Sequence, residues 1–386
     1  MHGEVAILLL IIAFGALISP PLGRKLGVPV AVVEIVFGVL VAAVGGANAV
    51  SAPFIRFLAD LGFALFLFLA GMELDARELR RSGPRAVIGP FVSALCATGL
   101  ALAGAWKLGL SPWIALALSA TSVPLLIAVL RELGLGRSAR GKAMITAAAI
   151  GEIVSVGLVA IGEIASSSED AAAATGGLVR LVGLLALVVV GTRLLGVMRW
   201  WFPERARALM DSEDAAESGV RAGFLLTLAM IAVASVAGIE PLLGAFFGGL
   251  MVSFAVDDTH AMEHKFGAMA YGFFVPVFFV DVGMRLDLGG ADFLERLPEI
   301  GAMVACMLLV KLVTSLPLMA FGVTWRWAVA RALLFAAPLT LVIAIADLAG
   351  RLGAIDEHVV GSLIAAGMLA SLLFPSIARR LLPSGT

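Results

Sequence analysis

The stretch from Ala143 to Ile164, AMITAAAIGEIVSVGLVAIGEI, is long and apolar enough to cross a bilayer as one helix, yet it carries Glu152 near its middle. A charged side chain at that depth costs roughly 2.5–3.5 kcal/mol even on the most lenient insertion scale, so intramembrane acids usually face a cavity or an ion path. Glu152 is therefore read as a site for a transported ion or proton. The plain alternative is a protonated carboxyl hydrogen-bonded to a neighbouring helix.

The remainder of the chain suits the same surroundings. Of its 386 residues 61% are hydrophobic and only 14% charged, with a mean hydropathy of +1.06. That is more apolar surface than one soluble core can hide, and it makes the chain an all-α integral membrane protein. A net charge of −1, with no basic run interleaved with aromatics, argues against a nucleic-acid partner. Cys96 and Cys306 both lie inside apolar segments and read as small core residues, without a disulfide framework or a metal motif. No set of nucleophile, base and orienting group is present, so the chain is not read as an enzyme and no cofactor is predicted. The first apolar segment lacks a basic leader and a small-residue cleavage site, which makes it a retained helix. The chain ends shortly after Arg379 and Arg380, which predicts no soluble regulatory domain.

With about 20 mostly apolar residues per span, thirteen helices are predicted. They run Glu4 to Ser19, Val28 to Gly46, Arg56 to Gly71, Ala86 to Trp106, Pro112 to Leu130, Ala143 to Ile164, Leu178 to Val197, Arg221 to Gly238, Pro241 to Val256, Phe266 to Gly283, Glu299 to Gly322, Trp327 to Gly350 and Val359 to Ala378. Alternate loops then hold 20 against 6 of the Lys and Arg residues, with Lys311 left inside the membrane. By the positive-inside rule the N-terminus faces outward and the C-terminus the cytoplasm. The connection from Arg199 to Glu217 divides the chain near its middle, with Trp200 and Trp201 as interfacial anchors. The small-residue segment from Ser166 to Gly177 reads as an external loop.

Two of these helices carry prolines where a continuous helix would not tolerate them. The fifth contains ATSVPLL, which puts Thr121, Ser122 and Pro124 midway, and the twelfth contains FAAPLTL, which puts Pro338 and Thr340 at a corresponding depth. A proline inside a helix removes a donor and clashes with the carbonyl one turn earlier. In lipid, the freed backbone survives only inside protein or beside water. Paired interruptions in the two halves point to an inverted-repeat transporter with its site at the midplane; two ordinary kinks are the alternative. The second intramembrane charge is Lys311, too far from either helix end for comfortable snorkelling. A buried lysine beside a carboxylate keeps its proton, and Glu152 is its natural candidate partner. An entering cation could replace the ammonium as counter-charge and so release a proton.

At these residues the chain resembles the sodium/hydrogen exchanger family, in particular the bacterial monovalent cation:proton antiporters related to Kef-type potassium efflux systems. The resemblance is carried by LGVPVAVVEIVFGVLV from Leu26, FLADLGFALFLFLAGMELDARELR from Phe57 and ATSVPLLIAVLRELGLGRSARGKAMITAAAIGE from Ala120. It continues in EPLLGAFFGGLMVS from Glu240, VPVFFVDVGMRLDL from Val275 and the helix around Lys311.

That resemblance implies one transporter domain over residues 1–386 and a homodimer in the bacterial inner membrane. Core helices at about 86–164 and 299–378 would move like an elevator past panel helices at about 4–71 and 178–283, the two interrupted helices crossing at their unwound points. Glu152 occupies the family's ion-binding position and Lys311 matches its core lysine. The function implied is exchange of a monovalent cation, Na+ foremost, for protons. Glu152 would serve as the proton and cation site, Lys311 as its counter-charge, and Thr121, Ser122 and Thr340 as oxygen ligands of the hard-cation type.

Two departures stand out. Gly151 and Glu152 replace the Asp-Asp or Asn-Asp pair of sodium-transporting relatives, and Pro338, Leu339, Thr340 and Leu341 replace a proline-arginine-glycine-glutamate pattern. A single carboxylate points to one proton per cation. The same fold carrying an organic anion in symport, or serving as a non-transporting sensor, remains open.

Other charges have simpler readings. Glu34 makes a structural or gating hydrogen bond, with ion binding as the alternative. Asp281, with Glu34 a secondary candidate for ion or proton binding, reads first as an outer-rim pair with Arg285, which lies four residues on and can neutralise it. Glu163, read as solvated at the outer end of its helix, and Glu240, at the start of another where a carboxylate suits the helix N-terminus, are read as entrance charges and not ligands. His2, His260, His264 and His358 fall in tails or loops and support no membrane proton relay.

Overall fold

The computed structural model describes residues 3–45, 53–72, 83–136, 138–167, 171–201, 217–255, 260–285 and 291–382, and their regular structure is entirely helical. In chain order the helices are α1 (Gly3–Leu26), α2 (Val30–Gly45), α3 (Pro53–Met72), α4 (Gly83–Leu108), α5 (Pro112–Ser119), α6 (Pro124–Glu132), α7 (Ala139–Ser167) and α8 (Ala171–Trp201). They continue as α9 (Ser218–Val236), α10 (Pro241–Ala255), α11 (His260–Met269), α12 (Val275–Arg285), α13 (Ala291–Ser315), α14 (Trp325–Phe335), α15 (Leu339–Arg351) and α16 (Glu357–Leu381). A π-helical turn, Ala270–Phe274, joins α11 to α12, and a 3-10 turn, Leu316–Phe321, extends α13.

Among the described residues ten helical stretches are long and apolar enough to cross a membrane, counting α11–α12 and α14–α15 as one each; two shorter apolar helices, Val30–Val44 and Pro241–Ala255, accompany them. The chain divides into two compact units, residues 1–77 with 170–289 and residues 78–169 with 290–386.

In the first unit α2 packs on α12, and α3 on α10 and α12. Gly38 and Gly283 make the closest approach possible, since a Cβ on either would lie 2.0–2.1 Å from a carbonyl oxygen of the facing helix. Small residues that let backbones meet are the usual device where lipid supplies no hydrophobic drive between helices. Phe63 of α3 stacks on Phe278 of α12 with ring centroids 4.5 Å apart.

The second unit is built around its interrupted helices. The stretch from α14 to α15 is almost wholly buried, whereas α4 is mostly exposed. Ala97, Ala101 and Ala105 on one stripe of α4 pack with Ala115 of α5 and Val310 of α13. This alanine layer lets three helices approach closely, and α5 also packs on α15 and α7.

Several element ends differ from the sequence reading. Helix α8 begins at Ala171, inside the predicted external loop, because its run of alanines is strongly helix-forming. Helix α1 runs past Ser19 through Pro20 and Pro21 to Leu26, and the Ser19 hydroxyl donates to the Gly15 carbonyl at 2.7 Å. Cys96 is exposed and Cys306 half-buried, so neither is the core residue expected; an apolar helix in lipid turns apolar side chains outward as readily as inward. His260 and His264 lie on α11 and His358 on α16, not in loops.

Candidate functional site

Helix α5 stops at Ser119 because Ala120 turns extended, with φ −56° and ψ 154°, and Pro124 opens α6. Proline disfavours a helical conformation in the residue before it and suits the first position of a new helix. The break from Ala120 to Val123 leaves backbone carbonyls at the end of α5 and N–H groups at the start of α6 without helical partners.

Two charged side chains from other helices meet those groups. The Val123 N–H donates to Glu152 Oε2 at 3.2 Å. Lys311 Nζ donates to the Ser119 carbonyl oxygen and to Thr121 Oγ1, the latter at 2.7 Å. The acid therefore sits at the positive end of α6 and the ammonium at the negative end of α5, each where the helix dipole favours it. Glu152 is 4% exposed and Lys311 3% exposed.

The second break lies between Phe335 and Leu339, with Pro338 preceding the first turn of α15 and Thr340 within that turn. Ser122 Oγ and Thr340 Oγ1 are 3.0 Å apart, which joins the two breaks through one hydrogen bond. Two further bonds fix α5 in place. Ser119 Oγ donates to Thr98 Oγ1 of α4 at 3.1 Å, and Trp113 Nε1 donates to Ser166 Oγ of α7 at 3.0 Å.

The structure thus gathers Glu152, Lys311, Thr121, Ser122 and Thr340 around one pair of breaks. Glu34 and Asp281 belong to the other unit. Glu34 is 4% exposed on α2, and Asp281 Oδ2 lies 2.7 Å from Arg285 Nη2, one helical turn away. Glu163 corrects the reading of a solvated entrance charge, being only 7% exposed near the end of α7.

Sequence reasoning missed two participants. The Ser119 carbonyl gives no residue-type signal, since any residue there would offer it. Arg331, counted among the loop charges, is buried in α14. It donates to Ser315 Oγ at 2.9 Å and Ser93 Oγ at 3.4 Å, with its guanidinium 4.5 Å from the Phe335 ring centroid. Its place one turn inside the predicted helix, four residues before Phe335, was the available clue.

Chemically the site offers one carboxylate, hydroxyls and backbone groups without helical partners, with an ammonium seated on the Ser119 carbonyl and the Thr121 hydroxyl. Among the described residues no three His, Cys, Asp or Glu side chains cluster as a multivalent metal would require. One carboxylate near neutral oxygens on the same pair of breaks is a donor set for a proton or a monovalent cation.

Comparison with known proteins agrees with that chemistry. The family model described as sodium/hydrogen exchanger, transmembrane, matches residues 9–382. The chain is 28% identical to the putative Na(+)/H(+) antiporter YjbQ of Bacillus subtilis over 98% of its own length, and it spans 63% of that longer relative. It is 26% identical to the Na(+)/H(+)-K(+) antiporter GerN of Bacillus cereus over 75% of this chain and 74% of GerN. The fold is similar to that of the sodium proton antiporter MjNhaP1 of Methanocaldococcus jannaschii, with a TM-score of 0.64, 15% identity and coverage of 98% of this chain and 97% of that one. A transmembrane chain matched over nearly its whole length by that model, with a buried carboxylate at a helix break, belongs to the sodium/hydrogen exchanger family of cation/proton antiporters, a family of transporters and not of enzymes.

Proposed function

We propose that the protein exchanges a monovalent cation, Na+ foremost, for protons across the bacterial inner membrane, with Glu152 binding the two in alternation. The observation that carries this reading is the placing of Glu152 and Lys311 at the two ends of one helix break. With Lys311 at the break the carboxylate has a fixed positive charge in its neighbourhood and the cation is excluded. When the ammonium withdraws or gives up its proton, the negative end of α5 and the hydroxyls of Thr121, Ser122 and Thr340 become available to a cation. Oxygen ligands from backbone and hydroxyl groups beside one carboxylate are the environment a hard cation prefers.

In this reading thirteen spans form an inverted repeat, the two shorter apolar helices and the α5–α6 pair each counting as one. The N-terminus faces outward and the C-terminus the cytoplasm. The second unit is the moving core of an elevator, the first is the panel, and two copies form the transporter.

The test is proton flux in proteoliposomes containing a trapped pH dye, after pulses of Na+, Li+, K+ or choline. Flux driven by Na+ or Li+, absent with choline and lost in Glu152→Gln, is the expected result. A folded protein silent toward every cation between pH 6 and 9 overturns cation antiport and favours another solute or a sensor.

A further inference from the structure

Helix α15 is sealed over most of its surface, Val342, Ile343, Ile345, Ala346 and Ala349 being at most 1% exposed. Val342, on the far side, packs against α16, where a Cβ on Gly367 would lie 3.3 Å from Val342 Cγ1. One stripe differs. Thr340 is half-buried, Ala344 is 9% and Asp347 7% exposed, and Arg351 is exposed at the end of the helix. Spacings of four, three and four put these residues on one helix face. At 1.5 Å per residue the stripe is roughly 16 Å long, about half the thickness of a hydrocarbon core. It begins at the hydroxyl that bonds Ser122 across the two breaks and ends at the exposed guanidinium.

Asp347 is the acid on this stripe and the single acid of α15. Packing alone has no use for a carboxylate there, and acids inside spanning helices usually face a cavity or an ion path. Arg351 Nε donates to Asp347 Oδ2 at 2.7 Å. The two partners are unequal: the arginine side chain is 38% exposed and the aspartate side chain 8%. A long, flexible cation at the wet end of the helix can swing away, whereas the short acid stays on the stripe.

We infer that the transported cation reaches the breaks along this face of α15, and that Asp347 is a waypoint on the route, holding a monovalent cation in place of the Arg351 guanidinium. The inference rests on the antiport reading and goes beyond it by adding a second cation station, roughly 10 Å along the helix from Thr340. A carboxylate oxygen is a hard-cation ligand, and Ala344, one turn nearer the break, leaves the way past it narrow in side-chain bulk. The route opens on the side of the membrane where α15 ends, the outer side in the proposed orientation.

The experiment is thiol labelling of the full chain in right-side-out and inverted membrane vesicles, in a Cys96→Ala, Cys306→Ala background, with cationic and anionic methanethiosulfonates that do not cross the membrane. Every variant is first shown to elute as the wild type does. Ala344→Cys is expected to react from one side only, the side from which Arg351→Cys reacts, while Ile345→Cys on a sealed face stays unlabelled. The ratio of cationic to anionic labelling at Ala344→Cys falls about tenfold when Asp347→Asn is added, and rises when Arg351→Gln is added. In proteoliposomes Asp347→Asn raises the KM for Na+ supplied from that side about tenfold with the maximal rate kept, and Asp347→Glu restores it.

An Asp347–Arg351 pair that only braces the end of the helix would lower the melting temperature of Asp347→Asn and leave the labelling ratio and KM unchanged, which overturns the inference. So does an Ala344→Cys that reacts from neither side while Arg351→Cys reacts. A wild type that labels as expected but shows no cation-driven flux overturns the antiport reading and leaves the charged, water-accessible route along α15 standing.

Discussion

At the scale of single residues, the proposed exchange divides the labour between Glu152 as charge and Lys311 as counter-charge. Glu152→Asp keeps the charge but withdraws the carboxylate by one methylene from the Val123 N–H, which it reaches at 3.2 Å. Exchange survives with a KM for Na+ raised about tenfold, the effect of one weakened charge-assisted hydrogen bond; initial rates against Na+ concentration check this. Arg331→Ala removes two bonds to serine hydroxyls and a ring contact, and lowers stability by about 1–2 kcal/mol. The shift is read from melting in detergent, and Arg331→Lys recovers only part of it because an ammonium lacks the planar fork.

Glu152 and Lys311 were legible in the sequence because a charge in the middle of an apolar run is conspicuous. Their contacts were not, since the carbonyl of Ser119 and the N–H of Val123 are generic backbone groups that become specific only where a helix stops. Arg331 was misread for a different reason. A basic residue near a helix end is usually a solvated charge, and only packing of α14 against α13 and α16 takes this one out of water.

At the scale of elements, the proposed site is built on half-helices. Its breaks were legible from Pro124 and Pro338, and the structure adds the Ser122 to Thr340 bond that joins them. Intramembrane hydrogen bonds contribute about 0.6 kcal/mol on average, so Ser122→Ala and Thr340→Val each change stability by less than ~1 kcal/mol. Their effect falls on transport. Each lowers the Na+-driven rate, and the double variant is no worse than the poorer single one, a non-additivity that a double-mutant cycle measures. Fully additive losses would mean that the two hydroxyls act separately.

Other elements were less readable. The π-helical turn at Ala270–Phe274 was announced only by Gly272 within it and by Pro276, which lacks the N–H that would bond the Gly272 carbonyl; it lies where α11–α12 packs against α3. The early start of α8 at Ala171 was hidden because a short alanine run reads equally as loop or helix until a neighbouring span extends it.

At the scale of the whole molecule, the division into two units separates the polar breaks from the glycine-mediated contacts between α2 and α12. If the proposed exchange uses Glu152 alone, the cycle moves one proton against one monovalent cation and transfers no net charge. Na+-driven proton flux is then unchanged when a potassium diffusion potential is imposed with valinomycin; a rate that follows the imposed voltage would mean that Lys311 withdraws from the cation's path by giving up a proton and not by moving.

The most direct test of the central claim needs no gradient. Purified protein in weakly buffered detergent is titrated with NaCl, choline chloride serving as the control, and released protons are followed with a pH electrode. Competition of proton and cation for one carboxylate predicts release of up to about one proton per chain, saturating with Na+ and abolished in Glu152→Gln. Equal release from Glu152→Gln and wild type would contradict the assignment of the site.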